Sequence, residues 1–240
     1  MSGNRWGLNI VSGWSQRELG MMGVPLAEHA RRYERTSCFV EILRKLWTPG
    51  EQPFDYECDW YSVKGGESSP VPDIHPVIAN AGVSEDAKNM TARLCDWAFI
   101  STPSVEAVGP TIADITKKAR EHGRAVKTAI FPFLIWGKSR TEAEERLASI
   151  IAEKDEVATA NWLNDLTAGS GSFDTFTSDM LAASGGGVHM AGSADDVAEQ
   201  LIEAHRSGVN AVMLTFPEYL ADLHRFARDI QPMLSKAGCI

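Results

Sequence analysis

The sequence is short of the basic residues that nucleic-acid and membrane-surface proteins depend on. Among its 240 residues, 23 are Lys or Arg and 32 are Asp or Glu, which gives a formal net charge of −9 and an isoelectric point near 5.2. Such a chain offers no broad basic surface to a phosphate backbone or an anionic membrane. Its apolar runs, such as 128–136, are far shorter than the roughly 20 residues of a membrane-spanning helix. We therefore expect neither a nucleic acid nor a membrane as partner.

Cysteine and histidine are too scattered to predict a metal site. The four cysteines, at positions 38, 58, 95 and 239, form no CxxC pair, and no two of the six histidines stand at metal-ligand spacing. The common phosphate-loop, GxSxG and HExxH motifs are also missing. We expect no metal, and reduced cysteines that only fill space. The first residues do not form a signal-peptide pattern, which favours a cytoplasmic protein.

The sequence does contain a regular alternation of strand and helix patterns. Short apolar runs end in small or polar residues and are followed by segments with one apolar stripe at helical spacing. Ser84, Ser193 and the pair Thr141 and Glu144 are candidate helix N-caps. Strict alternation predicts a parallel sheet with helices packed outside it. The predicted strands cover 6–12, 77–81, 97–101, 126–136 and 210–216.

Two segments interrupt this alternation within what we predict to be a single domain over 1–240. One is an aromatic, alternating stretch at about 51–75, where 54–63 is typical of a hairpin. The other, at 166–192, is rich in glycine and serine and has little to bury. We expect this second segment to be a mobile lid over the carboxyl ends of the strands.

Candidate ligand-binding residues follow the first and second strands. They comprise Asn9, the stretch 12–14, Arg32 with Tyr33, and the stretch 81–84. Gly82 allows a close backbone approach, and Ser84 with the free N–H groups of its helix is suited to an anion such as a phosphate. Each also has a purely structural explanation: a strand-end hydrogen bond for Asn9, a surface ion pair for Arg32 and a plain helix cap for Ser84.

Several segments, taken in order and spacing, resemble the bacterial-luciferase-like flavin monooxygenases, and in particular their pyrimidine and dimethylsulfone monooxygenase branches. The similarity extends from residue 3 to about residue 236. The segments that carry it are RWGLNIVSGW at 5–14, EHARRY at 28–33, LW at 46–47, NAGVS at 80–84, LTF at 214–216 and IQPML at 230–234.

This resemblance implies a (β/α)8 TIM barrel that binds reduced FMN, supplied by a separate flavin reductase, and uses molecular oxygen to oxidise a small substrate. Asn9 matches the family asparagine beside the flavin and the oxygen pocket, and is the catalytic candidate. Glu18, Arg32, Tyr33 and Ser84 match residues that contact the flavin, with Ser84 on the phosphate side. A dry pocket with few polar groups suits such oxygen chemistry.

Departures from the family pattern bear on the substrate. Alkanesulfonate monooxygenases carry an arginine and a histidine on the strand that here reads AIFPF at 129–133, and an arginine where GVH stands at 187–189. A buried sulfonate without those cations would be unpaired, so we favour a neutral pyrimidine, sulfone or aromatic substrate. Phe131, Phe133 and Trp136 either line its pocket or simply fill the barrel.

The resemblance also implies that strands are missing. Family members carry further residues before the segment at 5–14, and the pattern supplies five βα units where a closed barrel needs eight. We therefore expect the C-terminal two thirds of a monooxygenase, an incomplete barrel that is open at its sheet edges. Leu8, Ile10, Ile78 and part of 211–214 are expected on an exposed concave face. A full-length protein of this kind is expected to form a homo-oligomer.

Two other functions stay open. One is a deazaflavin (F420)-dependent reductase of the same superfamily, and the other is a catalytically incompetent fragment. The matches at Glu18, Arg32 and Tyr33 favour FMN over the deazaflavin.

Overall fold

A computed structural model describes residue 3 and residues 5–102, 104–169 and 176–240. The chain divides into two compact units: Met1–Ala98 with Ile115–Val126, and Phe99–Asp114 with Lys127–Ile240. Both units combine parallel strands with helices, the α/β architecture that the alternating pattern predicts. Within the described ranges, no helix is long and apolar enough to cross a membrane.

The first unit is built on a parallel sheet in the order β1-β4-β5, of which β5 runs on into the second unit. Strands β1 and β4 pair without a register shift, from Gly7 opposite Val77 to Ile10 opposite Asn80. Both strands therefore end at the same edge of the sheet. The elements are β1 (Gly7–Ile10), α1 (Gln16–Met21), α2 (His29–Trp47), β2 (Phe54–Glu57), β3 (Ser62–Gly66), β4 (Val77–Asn80), α3 (Glu85–Leu94), β5 (Trp97–Ile100) and the later part of α4 (Val108–Glu121).

Helices α2 and α3 cover one face of this sheet. The expectation that Leu8, Ile10 and Ile78 lie on an exposed concave face is wrong, because Ile10 and Ile78 are buried in this core and Leu8 packs against it. Side chains alternate along a strand, so Asn9 and Val77 lie on the opposite face, where both are exposed. The buried cluster consists of Ile10, Val40, Ile78, Met90, Leu94 and Cys95.

The segment at 51–75 contains an antiparallel hairpin of β2 and β3, as its aromatic alternation predicts. Phe54 is buried, and the Tyr56 hydroxyl donates a 2.7 Å hydrogen bond to Glu41 of α2. The hairpin is therefore anchored on the same helix that carries Arg32 and Tyr33.

The second unit contains two parallel strand pairs, β6 with β9 and β7 with β8. The predicted single strand at 126–136 is in fact two strands, interrupted at Phe131 and Pro132. Because proline has no N–H to donate, the ladder breaks there and the two halves pair with different partners. The remaining elements are β6 (Lys127–Ile130), β7 (Phe133–Gly137), α5 (Arg140–Ala152), α6 (Glu156–Gly169), α7 (Ser178–Ser184), β8 (His189–Ser193), α8 (Ala194–Arg206), β9 (Ala211–Val212), α9 (Tyr219–Asp229) and α10 (Gln231–Lys236).

The segment at 166–192 buries more than its composition suggests. It contains α7 and the start of β8, and Leu181, Val188 and Met190 are all buried. A Cβ on Gly187 would lie 2.5 Å from the Phe131 carbonyl oxygen, so this glycine is required by close packing. The expectation of little to bury is thus wrong for the described part. Residues 170–175 of the expected lid lie outside the described residues.

The N-caps of α3, α5 and α8 can be compared with the predicted ones. Ser84 and Ser193 accept hydrogen bonds from the third backbone N–H of α3 and α8, and Ser193 completes a capping box with Asp196. Helix α5 is instead capped by Ser139, whose Oγ accepts from the Glu142 N–H, so the Thr141 cap is wrong. The sequence SRTEAE contains two overlapping S/T-x-x-E patterns, and the structure uses the first.

The described residues form more parallel strands than the five predicted. Strand β7 was predicted as part of one long strand with β6, and β8 was not predicted as a strand. Val212 and Met213, in the segment expected to be exposed, are 38% and 51% exposed. No closed barrel is seen among the residues that the structure describes. The incomplete barrel and the single-domain organisation stay predictions.

Candidate functional site

The carboxyl ends of β1 and β4 hold the candidate site, and Asn80 fixes their relative position. Its side chain is 2% exposed, donates a 2.8 Å hydrogen bond to the Ile10 carbonyl and accepts one of 2.9 Å from the Gly82 N–H. These bonds hold the turn after β4 beside the end of β1. This role of Asn80 was not predicted, although an Asn at a strand end, two positions before a glycine, is a typical turn former.

Helix α2 places the Tyr33 hydroxyl at the N-terminus of α3. This hydroxyl lies beside the Ser84 side chain, and burial raises the pKa of Tyr33, so the phenol stays neutral and keeps its proton. Ser84 also accepts a 3.3 Å hydrogen bond from the Ala87 N–H. A Cβ on Gly82 would lie 2.5 Å from both the Tyr33 hydroxyl and the Ala87 Cβ. Gly82 therefore makes this approach sterically possible.

The acidic residues in the first turn of α3 both have side-chain partners. Asp86 lies 2.9 Å from Nδ1 of His29, whose ring packs at 5.0 Å from the Tyr33 ring. Glu85 lies 2.8 Å from Lys118, and hydrogen bonds from Lys118 and Lys88 lower the pKa of Glu85. The two lysines offset the repulsion that Glu85 would exert on an anion at the helix N-terminus, and His29 provides a hydrogen-bonding partner for Asp86. Sequence spacing alone gave no sign of the His29–Asp86 pair.

Arg32 belongs to α2, and its side chain reaches the loop that follows β1. Its side chain is buried, and Nη1 donates a hydrogen bond to the carbonyl of Gly13. Burial lowers the pKa of Arg32, but arginine starts so high that the guanidinium stays charged. Beside it is a cavity of about 200 Å³, whose lining includes Ser12, Gly13, Arg32 and Trp60. A positive charge thus lies at a cavity near the end of β1.

Asn9 and Glu18 lie at the margin of this arrangement. Asn9 is exposed on β1, opposite Ala79 of β4, and directly precedes Ile10, whose carbonyl is held by Asn80. Glu18 lies in the first turn of α1, where its N–H bonds to the cap residue Ser15 and its side chain is exposed. The structure thus places Tyr33 beside Ser84 at the start of α3, and it places both Arg32 and Asn9 near the end of β1.

The three aromatic candidates for a substrate pocket lie in the second unit. Phe133 and Trp136 are only 6% and 2% exposed, whereas Phe131 is half-buried beside Phe99. Trp136 donates a 3.3 Å hydrogen bond to Asp229, and the Arg225 guanidinium lies 4.6 Å from its ring centre. Phe131 is therefore the most accessible of the three, and a pocket-lining role for them stays a prediction.

The described residues include no cluster of three or more His, Cys, Asp or Glu side chains able to hold a metal ion. The candidate ligands of the first unit are instead hydrogen-bond donors and a cation, the groups that bind the phosphate and polar ring atoms of an organic cofactor.

Comparison with known proteins identifies the family. The FMNH2-dependent dimethylsulfone monooxygenase of Pseudomonas putida is 30% identical over 244 residues, which cover 97% of this chain and 67% of that protein. The pyrimidine monooxygenase RutA of Escherichia coli O81 (strain ED1a) is 30% identical over 248 residues, which cover 98% of this chain and 64% of RutA. The chain therefore spans about two thirds of the length of these curated relatives.

Solved structures agree on the fold. The long-chain alkane monooxygenase LadA superposes with a TM-score of 0.78 at 19% identity, over 97% of this chain and 62% of LadA. An F420-dependent secondary alcohol dehydrogenase superposes with a TM-score of 0.70 at 14% identity, over 95% of this chain and 69% of the dehydrogenase chain. The luciferase-like monooxygenase family pattern matches residues 1–211, and the chain belongs to that family.

Proposed function

We propose that this chain binds reduced FMN at the carboxyl ends of β1 and β4, with the flavin phosphate at the N-terminus of α3. The observation that carries the proposal is the neutral Tyr33 hydroxyl beside Ser84, at a helix start whose own carboxylates are paired. Both groups, with the N–H groups of the first turn, provide the donors that a phosphate requires. Asn9, Glu18 and Arg32 are proposed to contact the rest of the flavin.

We further propose a monooxygenase reaction on a small neutral compound of the pyrimidine, sulfone or aromatic class. When bound, reduced FMN supplies the electrons that activate molecular oxygen. Asn9 would orient the reacting ring through its amide, and Phe131 would provide apolar surface for the substrate. The names of the relatives from Pseudomonas putida and Escherichia coli support this reaction class. A flavin reductase partner, a homo-oligomeric whole protein and a cytoplasmic location belong to the same proposal.

The alternative cofactor is reduced deazaflavin F420, since a structural neighbour is named for it. The match of two relatives named as monooxygenases at 30% identity favours FMN over a fold likeness at 14%. A catalytically incompetent fragment is the second alternative.

The test begins with FMN affinity, measured by quenching of flavin fluorescence in wild type, Tyr33→Phe, Ser84→Ala and the control Tyr219→Phe. Tyr219 is 62% exposed and lies in the second unit, on α9. Loss of one hydrogen bond to a charged phosphate should weaken binding by about 1.5 to 3 kcal/mol, or roughly 10- to 150-fold, in Tyr33→Phe. Equal affinities for Tyr33→Phe and Tyr219→Phe would rule out the phosphate site.

Activity separates the remaining alternatives. Purified chain is supplied with a flavin reductase, FMN, oxygen and either a pyrimidine or dimethylsulfone, and product is detected by mass spectrometry. Parallel samples contain reduced F420 under anaerobic conditions with an oxidised substrate. Product only with FMN and oxygen supports the monooxygenase, and turnover only with F420 supports the reductase. The absence of both flavin binding and turnover identifies an incompetent fragment.

A further inference from the structure

Two cysteines that are 20 positions apart in the sequence meet in the first unit. Cys38 lies in α2, and Cys58 directly follows β2 of the hairpin. Two contacts hold the hairpin turn against this part of α2: the Tyr56 hydroxyl donates a 2.7 Å hydrogen bond to Glu41, and the rings of Phe39 and Tyr61 lie 6.2 Å apart. Each thiol affects the pKa of the other, so the two sulfurs lie close together, and both residues are partly exposed. The spacing of the four cysteines predicts no such pair, because it is created by the packing of the hairpin on α2.

The Cys58 sulfur has further hydrogen-bond donors around it. The backbone N–H of Trp60 donates a hydrogen bond to it, with 3.4 Å between the nitrogen and Sγ. A short turn sets this geometry, since the Cys58 N–H in turn donates a 3.0 Å hydrogen bond to the Tyr61 carbonyl. Backbone donors aimed at one sulfur stabilise a negative charge on it, in the way that an anion is stabilised by a backbone nest.

The two sulfurs therefore differ in chemistry. Burial alone would raise the pKa of Cys58, but the hydrogen bonds from Cys38, Trp60 and Tyr61 outweigh it and bring the pKa below its usual value. Burial and the hydrogen bond to Cys58 raise the pKa of Cys38. A sulfur with a lowered pKa beside one with a raised pKa is the arrangement of an attacking and a resolving cysteine.

We propose that Cys38 and Cys58 form a peroxide-sensitive thiol pair that closes into a disulfide between α2 and the β2–β3 hairpin. The Cys58 thiolate attacks one oxygen of hydrogen peroxide. The O–O bond breaks, and the departing hydroxide takes up a proton to leave as water, so that Cys58 becomes a sulfenic acid. The Cys38 sulfur then attacks Cys58 as it loses its proton, and the S–O bond breaks to release a second water. Two thiols lose two electrons, and one peroxide is reduced to two waters.

The pair lies close to the cavity beside Arg32. Trp60, two residues after Cys58, lines that cavity, and the Arg31 guanidinium lies 4.6 Å from the Trp60 ring centre. A disulfide would join the turn that carries Trp60 covalently to the helix that carries Arg31 and Arg32. Oxidation is thus expected to restrict the motion of one wall of the cavity. This proposal does not depend on the cofactor or on the reaction that the chain performs.

The test uses the full chain, reduced, freed of reductant and then treated with graded hydrogen peroxide. Remaining thiols are alkylated in denaturant, and tryptic peptides are identified by mass spectrometry. Trypsin should release Cys38 in the peptide 36–44 and Cys58 in the peptide 46–64. We expect these two peptides linked to each other, with free thiols falling from four to two. Cys95 serves as an internal control, since burial raises its pKa to about 12.

Two variants assign the roles of the sulfurs. Cys38→Ser should abolish the link and leave a sulfenic acid on Cys58 that dimedone traps. Cys58→Ser should abolish the link and slow oxidation of Cys38 by about tenfold or more. Cys239→Ser, the control, should leave the link unchanged. The proposal fails if wild type gives no link between 36–44 and 46–64, if that link forms only between two molecules, or if Cys239 is oxidised as fast as Cys58.

Discussion

Arg32 of α2 donates a hydrogen bond to the carbonyl oxygen of Gly13, at the point where the chain turns away from β1 with a positive φ of 88°. This contact joins the helix that carries Tyr33 to the loop that begins the candidate flavin site. Because the guanidinium is buried, its charge has to be satisfied by protein groups or by a bound ligand. Arg32 therefore contributes to stability as well as to ligand binding.

We expect Arg32→Met to lower the free energy of unfolding by about 1 to 3 kcal/mol, since the Gly13 carbonyl loses its charged donor. Urea unfolding monitored by circular dichroism measures this change. Arg35→Met is the matched control, because Arg35 is an exposed arginine on the same helix and should change stability by less than about 0.5 kcal/mol. Similar losses in both variants would show that the bond to Gly13 contributes little.

A second prediction concerns the close approach at Gly82. Gly82→Ala places a Cβ 2.5 Å from the Tyr33 hydroxyl and the Ala87 Cβ, so α2 and α3 have to move apart. Overpacking of this kind should cost about 1 to 3 kcal/mol in the free energy of unfolding. FMN affinity, measured by fluorescence quenching, should fall at the same time because Tyr33 and Ser84 are displaced.

Gly20→Ala is the control for this variant. Gly20 lies in α1, and a Cβ there would meet no atom within 4 Å. Because alanine favours a helix, we expect its stability to be unchanged or higher by up to about 1 kcal/mol. If Gly82→Ala behaves like Gly20→Ala in both stability and FMN affinity, the tight packing around Gly82 is not required.

How much of the fold follows from the sequence depends on how clearly each strand is bounded. Strand β4 and helix α3 were predicted because Gly82 and the Ser84 cap separate them, and the structure confirms both. The run at 129–136 is apolar on both sides of Pro132, so only the three-dimensional pairing reveals the break there. Strand β8 was missed because it contains Gly192 and closely follows the glycines at 185–187, which weaken a pattern that depends on side chains.

The face that each residue occupies was harder to predict than the strand itself. Leu8 and Ile10 alternate with Gly7 and Asn9, but the choice of which set faces the helices depends on helix packing that no local pattern records. Contacts within the candidate site also depend on packing that no local pattern records. Tyr33 and Ser84 were nominated from motifs, whereas the contact between His29 and Asp86 joins residues 57 positions apart.

The aromatic residues of β7 and the loop before it provide a third prediction. Phe133→Ala should lower the free energy of unfolding by about 3 to 5 kcal/mol, because Phe133 is buried in a cluster with Ile135, Ala143 and Ala183. Phe131→Ala should cost less, since Phe131 is half-buried. If Phe131 lines the substrate pocket, its variant should raise the KM for substrate, while Phe133→Ala acts mainly through stability. A KM that Phe131→Ala leaves unchanged would assign Phe131 to packing.

The last prediction concerns pH and His189. This residue lies in β8 with its ring 5.9 Å from Phe133 and its Nε2 3.1 Å from the Ser184 hydroxyl. Ser184 Oγ is within hydrogen-bond distance of the Met180 and Gly187 carbonyls, so its proton is engaged there and Nε2 of a neutral imidazole can donate to it. Burial lowers the pKa of His189 below its usual value of 6.5.

The direction of the pH effect follows from this lowered pKa. Between the folded and the unfolded pKa of His189, the unfolded chain binds the proton and the folded chain does not, so stability rises with pH in that window. The contribution of His189 is therefore complete above pH 6.5, and is lost as the pH falls through the unfolded pKa towards the folded one. Urea unfolding of wild type and His189→Gln at pH 7.5 and pH 5.5 isolates this residue from the other histidines, because only the difference between the two proteins is compared. We expect wild type to lose more stability than the variant at pH 5.5; equal losses, or a larger loss in the variant, would mean that protonation of His189 is not opposed by the fold.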